Sequence, residues 1–241
     1  MPEGPTIVIL KEQVQQFVGK EVIAVEGNTK IDLDRLLHQK VTFKSWGKHF
    51  LICFEDFTVR VHFLLFGSYL INETKAAQIR LGLTFPNGRL NMYACGVKIL
   101  EGDVNDHYDW REDVMNDDWD PKKAKQKLKE IPNKMACDAL LEQDIFSGVG
   151  NIIKNEVLYR IFVHPKSEIG KMPAKKIAEM IAEARNYSFD FLEWKKEFQL
   201  KKHWLAHTKK TCKRCDLPMI KEYTGVKKRR SFYCNNCQIL Y

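Results

Sequence analysis

The chain has 241 residues, of which 44% are hydrophobic and 29% charged, the balance of a folded globular protein with one large domain or two medium ones. Lysine and arginine number 39 against 31 aspartates and glutamates, giving a net charge of +8 and a pI near 9.0, which suits a polyanionic partner or a solvated basic surface. No apolar run reaches the length of a membrane span and the N-terminus lacks the charged and apolar regions of a signal peptide, so a membrane partner is set aside and a cytoplasmic protein is expected.

Pro2, Glu3, Gly4 and Pro5 form a rigid lead-in to a helix predicted over 6–18, where Ile7, Leu10, Val14, Phe17 and Val18 fall at helical spacing and Gly19 supplies a stop. From about 22 to 100 the pattern changes to short strands. Thr58–Phe63 alternates, and Leu81–Phe85 and Arg89–Tyr93 flank a Pro86-Asn87-Gly88 turn that predicts a hairpin. This half reads as a β-sandwich or flattened barrel with the N-terminal helix beside it. Residues 102–120, rich in Asp and Asn, read as a linker. Asp120-Pro121 then supplies an N-cap and a proline at the first helical position. Helices are expected at about 121–130, 135–143, 151–161 and 173–198, followed by a small cysteine module at 206–241.

Seven cysteines, an odd number without a secretion signal, speak against a disulfide framework. Cys212-x2-Cys215 and Cys234-x2-Cys237 are separated by eighteen residues, and each pair can place two thiolates on one tetrahedral ion. Met219–Tyr233 can fold back as a hairpin around Gly225. Four sulfur ligands leave no open position, so one structural Zn2+ per chain is expected and no catalytic metal. Lys227-Lys228-Arg229-Arg230 lie beside the hairpin turn. Such a run either solubilises the surface or, on a metal-braced tip, reaches a phosphate or a groove.

Ser147-Gly148-Val149-Gly150-Asn151 separates two helical segments. Gly148 and Gly150 allow a tight path and close approach of another chain, and Asn151 would open the next helix, where amide groups and the helix dipole favour an anion such as phosphate. At the other end of the chain, removal of Met1 would make Pro2 a secondary amine. An α-amino group has a pKa near about 8, well below that of lysine, so much of it carries a lone pair at neutral pH. Its attack on a sugar C1′ gives an iminium ion that has no N–H proton to lose and therefore acts as an electron sink. Glu3 is placed to donate or accept protons beside it.

Three segments together resemble the formamidopyrimidine-DNA glycosylase/endonuclease VIII family: Met1-Pro-Glu-Gly-Pro5, Leu141-Glu-Gln-Asp-Ile-Phe-Ser-Gly-Val-Gly-Asn151 and the four-cysteine finger. The match follows the family's order through nearly the whole chain, and Pro-Glu-Gly-Pro resembles the endonuclease VIII branch. The resemblance implies an α+β multidomain protein. Its parts would be an N-terminal catalytic β-sandwich with a leading helix (1–118), a helix–two-turn–helix DNA-binding region (119–205) and a C-terminal zinc finger (206–241), with DNA bound in the cleft between the domains. It implies Pro2 as the nucleophile that displaces the base and forms a Schiff base, with β- and δ-elimination following, and Glu3 as the catalytic acid. Lys48, in Trp46-Gly-Lys-His-Phe50, matches a hairpin lysine that contacts phosphate, and His62 a phosphate-contacting histidine. Asn151 matches the asparagine of the helical turn. Arg229, five residues before Cys234, matches the finger arginine, with Arg230 beside it on the DNA. Leu64-Leu65-Phe66 fall where the family fills the hole left by an extruded nucleotide, although such a run also suits a strand core. Thr6 departs from the pattern, because many members carry glutamate there, and this puts a second-carboxylate role in doubt.

The reading is a bifunctional DNA glycosylase and AP lyase of base excision repair. It would act on oxidised pyrimidines foremost in damaged double-stranded DNA, as a monomer, and would associate with the nucleoid if bacterial. Two alternatives stay open: the same chemistry on oxidised purines, and a non-catalytic binder of damaged DNA. A plain zinc-ribbon interaction protein would leave residues 1–205 unexplained.

Overall fold

Glu3 takes an extended conformation and caps α1 (Gly4–Gln13), with Pro5 in the first turn where its missing N–H costs nothing. The helix therefore starts ahead of its predicted position at residue 6. It tightens into a 3-10 turn at Val14–Phe17, and Gly19 ends it at φ 72°. The change from 3.6 to about three residues per turn breaks the apolar stripe: Ile7, Leu10, Val14 and Phe17 are buried, whereas Val18, expected among them, is 40% exposed.

The computed structural model describes residues 2–241. The chain divides into two compact units, the first ending at Asp109 and the second spanning Trp110–Tyr241. In the first unit, α1 is followed by β1 (Ala24–Glu26), β2 (Thr42–Trp46), β3 (His49–Cys53), β4 (Phe57–His62), β5 (Ser68–Ile71), β6 (Leu81–Phe85), β7 (Gly88–Tyr93) and β8 (Gly96–Glu101). These form two antiparallel four-stranded sheets, β1-β6-β7-β5 and β2-β3-β4-β8. One core holds both sheets and α1: Phe50, Val59 and Val61 from one sheet, Leu83, Leu90 and Met92 from the other, and Leu10 and Phe17 from the helix side. The sandwich reading therefore holds. In the predicted hairpin Phe85 pairs with Gly88, leaving only Pro86 and Asn87 in the turn. Gly88 needs its hydrogen: a Cβ there would lie 2.1 Å from Asn72 Oδ1, which accepts the Arg89 amide at 2.8 Å.

The second unit contains α2 (Pro121–Lys129), α3 (Ala136–Ala139), α4 (Asn151–Arg160), α5 (Ala174–Lys196), β9 (Ile220–Thr224) and β10 (Arg229–Tyr233). Asp120 caps α2 as expected, its Oδ1 accepting the amides of Lys122 (2.8 Å) and Lys123 (3.2 Å). The helix predicted at 135–143 is a single turn. After Ala139 the amides of Leu141 and Glu142 bond three residues back, to Asp138 and Ala139, so the chain tightens while Leu140, Ile145 and Phe146 stay buried. The stretch read as a linker is folded as well. Its Asp and Asn side chains cap turns, Asp113 accepting from Met115 and Asn116 from Asp118. Val114 and Trp119 join the second core. The hairpin β9–β10 shares this unit with the helices, packing on α4. Among the described residues, no helix is long and apolar enough to cross a membrane.

Candidate functional site

Glu3 is wholly buried, and Pro2 before it is half-buried. A reciprocal pair of bonds fixes the backbone at Glu3: its amide donates to Thr6 Oγ1 (3.0 Å), and the Thr6 hydroxyl donates to the Glu3 carbonyl (2.7 Å). Threonine thus performs at this position the N-terminal clasp that a longer acidic side chain makes in a capping box.

Trp46 pairs with His49 across a two-residue turn of Gly47 and Lys48, with Gly47 at φ 52°. Lys48 therefore sits at the tip of the β2–β3 hairpin. His62 ends β4 directly opposite His49, their rings 5.5 Å apart. Burial, with Lys48 and Arg60 nearby, lowers the pKa of His62, so its ring is neutral at physiological pH. Its Nδ1 accepts the Leu64 amide at 3.2 Å, which leaves the ring proton on Nε2. His49 behaves alike: burial foremost, then Arg60, His62 and Lys48, lower it to about 3, and its Nδ1 shares a hydrogen bond with the Tyr108 hydroxyl at 3.2 Å. Two neutral imidazoles beside a lysine, with the His62 Nε2–H as a donor, suit a phosphate oxygen. His49 and Tyr108 were missed in the sequence. The pairing of β3 with β4 was the signal for His49, whereas Tyr108 lay in the segment read as a linker.

Leu64, Leu65 and Phe66 form an exposed loop instead of a strand core, at 55%, 47% and 87% exposure, and Leu64 adopts φ 50°. The Leu64 amide bonded to His62 ties this apolar loop to the histidine pair.

In the second unit Gly148 (φ 97°) turns the chain, Gly150 is the N-cap and Asn151 begins α4, as the spacing predicted. Gln143 organises the turn, donating to Leu141 O (3.0 Å) and Val149 O (3.2 Å) and accepting the Gly148 amide at 3.3 Å. The Asn151 side-chain amide donates to Arg230 O (3.0 Å), and Asn151 Oδ1 is buried with no hydrogen-bond partner among the described residues. Lys154 and Asn155 join the same carbonyl at 3.2 and 3.3 Å, and Lys154 Nζ also meets Ser231 Oγ at 2.8 Å. Helix α4 is thereby stapled to β10, the strand that opens with Arg229 and Arg230. The Arg230 guanidinium donates to Tyr223 Oη at 2.8 Å and lies 5.3 Å from the centre of that ring. Lys154, wholly buried, and Asn155 had no readable signal, since two polar residues inside a helix ordinarily face water.

Cys212, Cys215, Cys234 and Cys237 converge, all four sulfurs within 4.8 Å of one another. Cys212 and Cys237 lie 3.9 Å apart and Cys215 and Cys234 3.5 Å, close to the roughly 3.8 Å edge of a tetrahedron with metal–sulfur bonds of about 2.3 Å. Burial opposes ionisation of Cys212, but the Tyr159 hydroxyl at 3.2 Å and the amides of Arg214 and Cys215 bring it down to about 6. Burial and the neighbouring sulfurs push Cys237 up to about 12. A cluster so placed cannot hold four negative charges by itself; a divalent cation resolves the conflict.

The architecture and these two sets of residues define the class: an α+β protein with a β-sandwich unit and a helical unit that carries a glycine turn and a four-cysteine hairpin. No family profile matches the chain. Relatives do. Endonuclease 8-like 3 of Mus musculus is 26% identical over 204 residues, 81% of this chain and 34% of its own length. The DNA-(apurinic or apyrimidinic site) lyase Nei2 of Mycolicibacterium smegmatis is 25% identical over 182 residues, 71% of either chain. The chain thus spans about a third of the length of the mouse relative. The crystal structure of Lactococcus lactis formamidopyrimidine-DNA glycosylase, bound non-covalently to DNA containing an AP site, superposes with a TM-score of 0.85 at 19% identity, covering 98% of this chain and 99% of that one. With the Pro-Glu-Gly-Pro start, the Gly-Val-Gly-Asn turn and the convergent cysteines, these likenesses are to proteins named endonuclease 8-like 3, Nei2 and formamidopyrimidine-DNA glycosylase, and the chain resembles the formamidopyrimidine-DNA glycosylase/endonuclease VIII family, its endonuclease VIII side foremost.

Proposed function

We propose that the protein is a monomeric bifunctional DNA glycosylase and AP lyase that removes oxidised bases, pyrimidines foremost, from damaged double-stranded DNA. The observation that carries this reading is the wholly buried Glu3, clasped by Thr6 at the cap of α1 and directly following Pro2. A buried carboxyl group on a fixed stretch of backbone beside an amine is suited to proton transfer there.

In the proposed reaction Met1 has been removed and the Pro2 nitrogen attacks C1′ of the damaged nucleotide. The glycosidic bond breaks, the base leaves with the bonding pair and is protonated, and ring opening at the sugar oxygen, assisted by Glu3, yields the C1′ iminium ion. Loss of a C2′ proton to a base then expels the 3′ phosphate, and a second elimination expels the 5′ phosphate. The iminium nitrogen accepts the electron pair in each elimination.

Lys48 and His62 are assigned to phosphates beside the lesion, and Leu64, Leu65 and Phe66 to the space vacated by the extruded nucleotide. Gly148, Gly150 and Asn151 receive a phosphate at the start of α4, and Arg229 and Arg230 bind DNA from the hairpin. The four cysteines hold one Zn2+, whose four sulfur ligands give it a structural role only. The names and DNA-bound forms of the relatives support this assignment.

Borohydride trapping on duplexes carrying thymine glycol, 8-oxoguanine or an abasic site tests it. A covalent adduct is expected on all three, strongest on thymine glycol and the abasic site, and absent when the Pro2 nitrogen is acylated. No adduct on any duplex, with Met1 shown by intact mass to be removed, would leave a DNA binder without lyase chemistry.

A further inference from the structure

The hairpin that presents Arg229 is held at its turn by a carboxylate on another element. Asp138, on α3 and 3% exposed, accepts the Val226 amide at 2.7 Å through Oδ2 and the Lys227 amide at 3.3 Å through Oδ1. Residues 225–228 form the loop between β9 and β10, because Thr224 pairs with Arg229. Gly225 adopts φ 70°, and a Cβ there would lie 2.3 and 2.4 Å from the two Asp138 carboxylate oxygens. The turn thus lacks a side chain where the carboxylate enters. Lys227 adds a second attachment, its Nζ donating to Leu141 O at 2.9 Å and pairing with Glu142 at 3.1 Å.

We propose that Asp138 is a positioning residue for DNA binding: its buried carboxylate grips the finger turn and so fixes the backbone from which Arg229 projects. The assignment rests on the proposed DNA-binding role of that arginine. Two successive amides pointing at one carboxylate make a small anion nest, with the anion supplied from within the chain. Consecutive peptide planes are then held in one orientation, and Arg229 lies two residues beyond the second. The staple of Asn151, Lys154 and Asn155 to Arg230 O holds the other side of the same arginine. The finger arginine is therefore bracketed by two anchors, both on the segment from α3 to α4, and neither uses the metal. Zinc closes the base of the finger, whereas Asp138 sets the direction of its tip.

The experiment compares the zinc-loaded wild-type chain with Asp138→Ala and Asp138→Asn. It reads zinc content, amide hydrogen exchange at Val226 and Lys227, and affinity for a duplex containing a tetrahydrofuran abasic analogue. In Asp138→Ala the two amides are expected to exchange at least about tenfold faster with zinc content unchanged, and affinity to fall about tenfold, the scale of one lost charge-assisted bond. Asp138→Asn keeps a carbonyl acceptor and is expected to recover part of both. Gly225→Ala separates positioning from folding: its loss of affinity should be smaller in the Asp138→Ala background, where the clash is gone.

Unchanged exchange at Val226 and Lys227 in Asp138→Ala would overturn the grip. Faster exchange with unchanged affinity would overturn the positioning role. Failure of the wild type itself to bind the duplex would instead remove the DNA-binding reading, while the exchange data would still decide the grip.

Discussion

Thr6 illustrates how one hydroxyl shapes the end of the chain that carries the proposed nucleophile. It accepts the Glu3 amide and donates to the Glu3 carbonyl, so the backbone that carries the buried carboxylate is fixed from both sides. Thr6→Ala is expected to lower stability by about 1 kcal/mol, the usual cost of removing a cap, and to slow base removal more than cutting at an abasic site. Thr6→Glu can still reach the Glu3 amide and is expected to retain most of the stability. Urea denaturation with single-turnover assays on both substrates checks this, and equal losses of the two activities would reduce Thr6 to a folding residue. Pro2→Gly and Glu3→Gln divide the chemistry further. The first keeps a primary amine and is expected to slow elimination strongly; the second is expected to lose base removal while keeping some abasic-site cutting. Full activity in both would sink the assigned roles.

His49 makes the same unit sensitive to acid. Its pKa is about 3 in the fold against an ordinary value near 6.5, and Arg60, Lys48, His62 and Tyr108 surround it. The folded state refuses a proton that the unfolded chain accepts. Stability is therefore full above about pH 6.5 and is lost as the pH falls from there toward 3, at up to about 1.4 kcal/mol per pH unit. His62, lowered for similar reasons, adds in the same direction. Urea unfolding at pH 7 and pH 5 is expected to show the loss, and His49→Asn, which keeps an acceptor near Tyr108, to reduce it. A pH-independent midpoint would refute the role given to the ring.

At the scale of elements, α4 ties the second unit together. Its N-terminus holds Arg230 O, its buried Glu156 accepts the amides of Leu205, Ala206 and His207 at 2.8–3.1 Å, and its Tyr159 hydroxyl shares a hydrogen bond with Cys212 Sγ. Tyr159→Phe removes the hydroxyl that helps ionise Cys212 and is expected to weaken zinc about 10- to 100-fold, as loss of a partner to a metal ligand generally does. Competition with a chromophoric chelator measures it. Cys234→Ser is expected to release the metal and abolish DNA binding, and unchanged affinity would show the finger to be dispensable.

Much of this architecture was readable. Proline and asparagine fixed the turn between β6 and β7, Asp120-Pro121 the start of α2, and cysteine spacing the hairpin, because each acts through local geometry. What escaped was non-local. Nothing near Asp138 in the chain indicates that its carboxylate meets the amides of Val226 and Lys227. The stretch 102–120 has the composition of a linker, yet its polar side chains are spent capping turns and its few apolar ones enter a core. Tyr108 and His49 meet only once the sheet and that stretch are folded.

For the whole molecule, a net charge of +8 would supply long-range attraction to the proposed DNA partner, but the structure distinguishes cations by what they already hold. Lys134 pairs with Glu142, Lys166 with Glu222, and Lys123 and Lys127 with Glu112. Within the basic run of the finger, Lys227 is committed to Glu142 and Leu141 O, and Arg230 to Tyr223. Lys228 is exposed at the end of the turn, at φ 45°. Each lysine or arginine that neutralises a phosphate steepens the dependence of log K on log salt by about 0.9 on duplex DNA. Lys228→Ala is therefore expected to lower the slope by about one if that lysine meets a phosphate. Lys227→Ala should leave the slope unchanged while weakening binding at every salt concentration, because it loosens the turn without removing a phosphate contact. Fluorescence anisotropy on an abasic-site duplex across a salt series separates the two effects. The reverse pattern, a shallower slope for Lys227→Ala and none for Lys228→Ala, would mean that Lys227 leaves Glu142 when DNA binds and that the turn is rebuilt on the duplex.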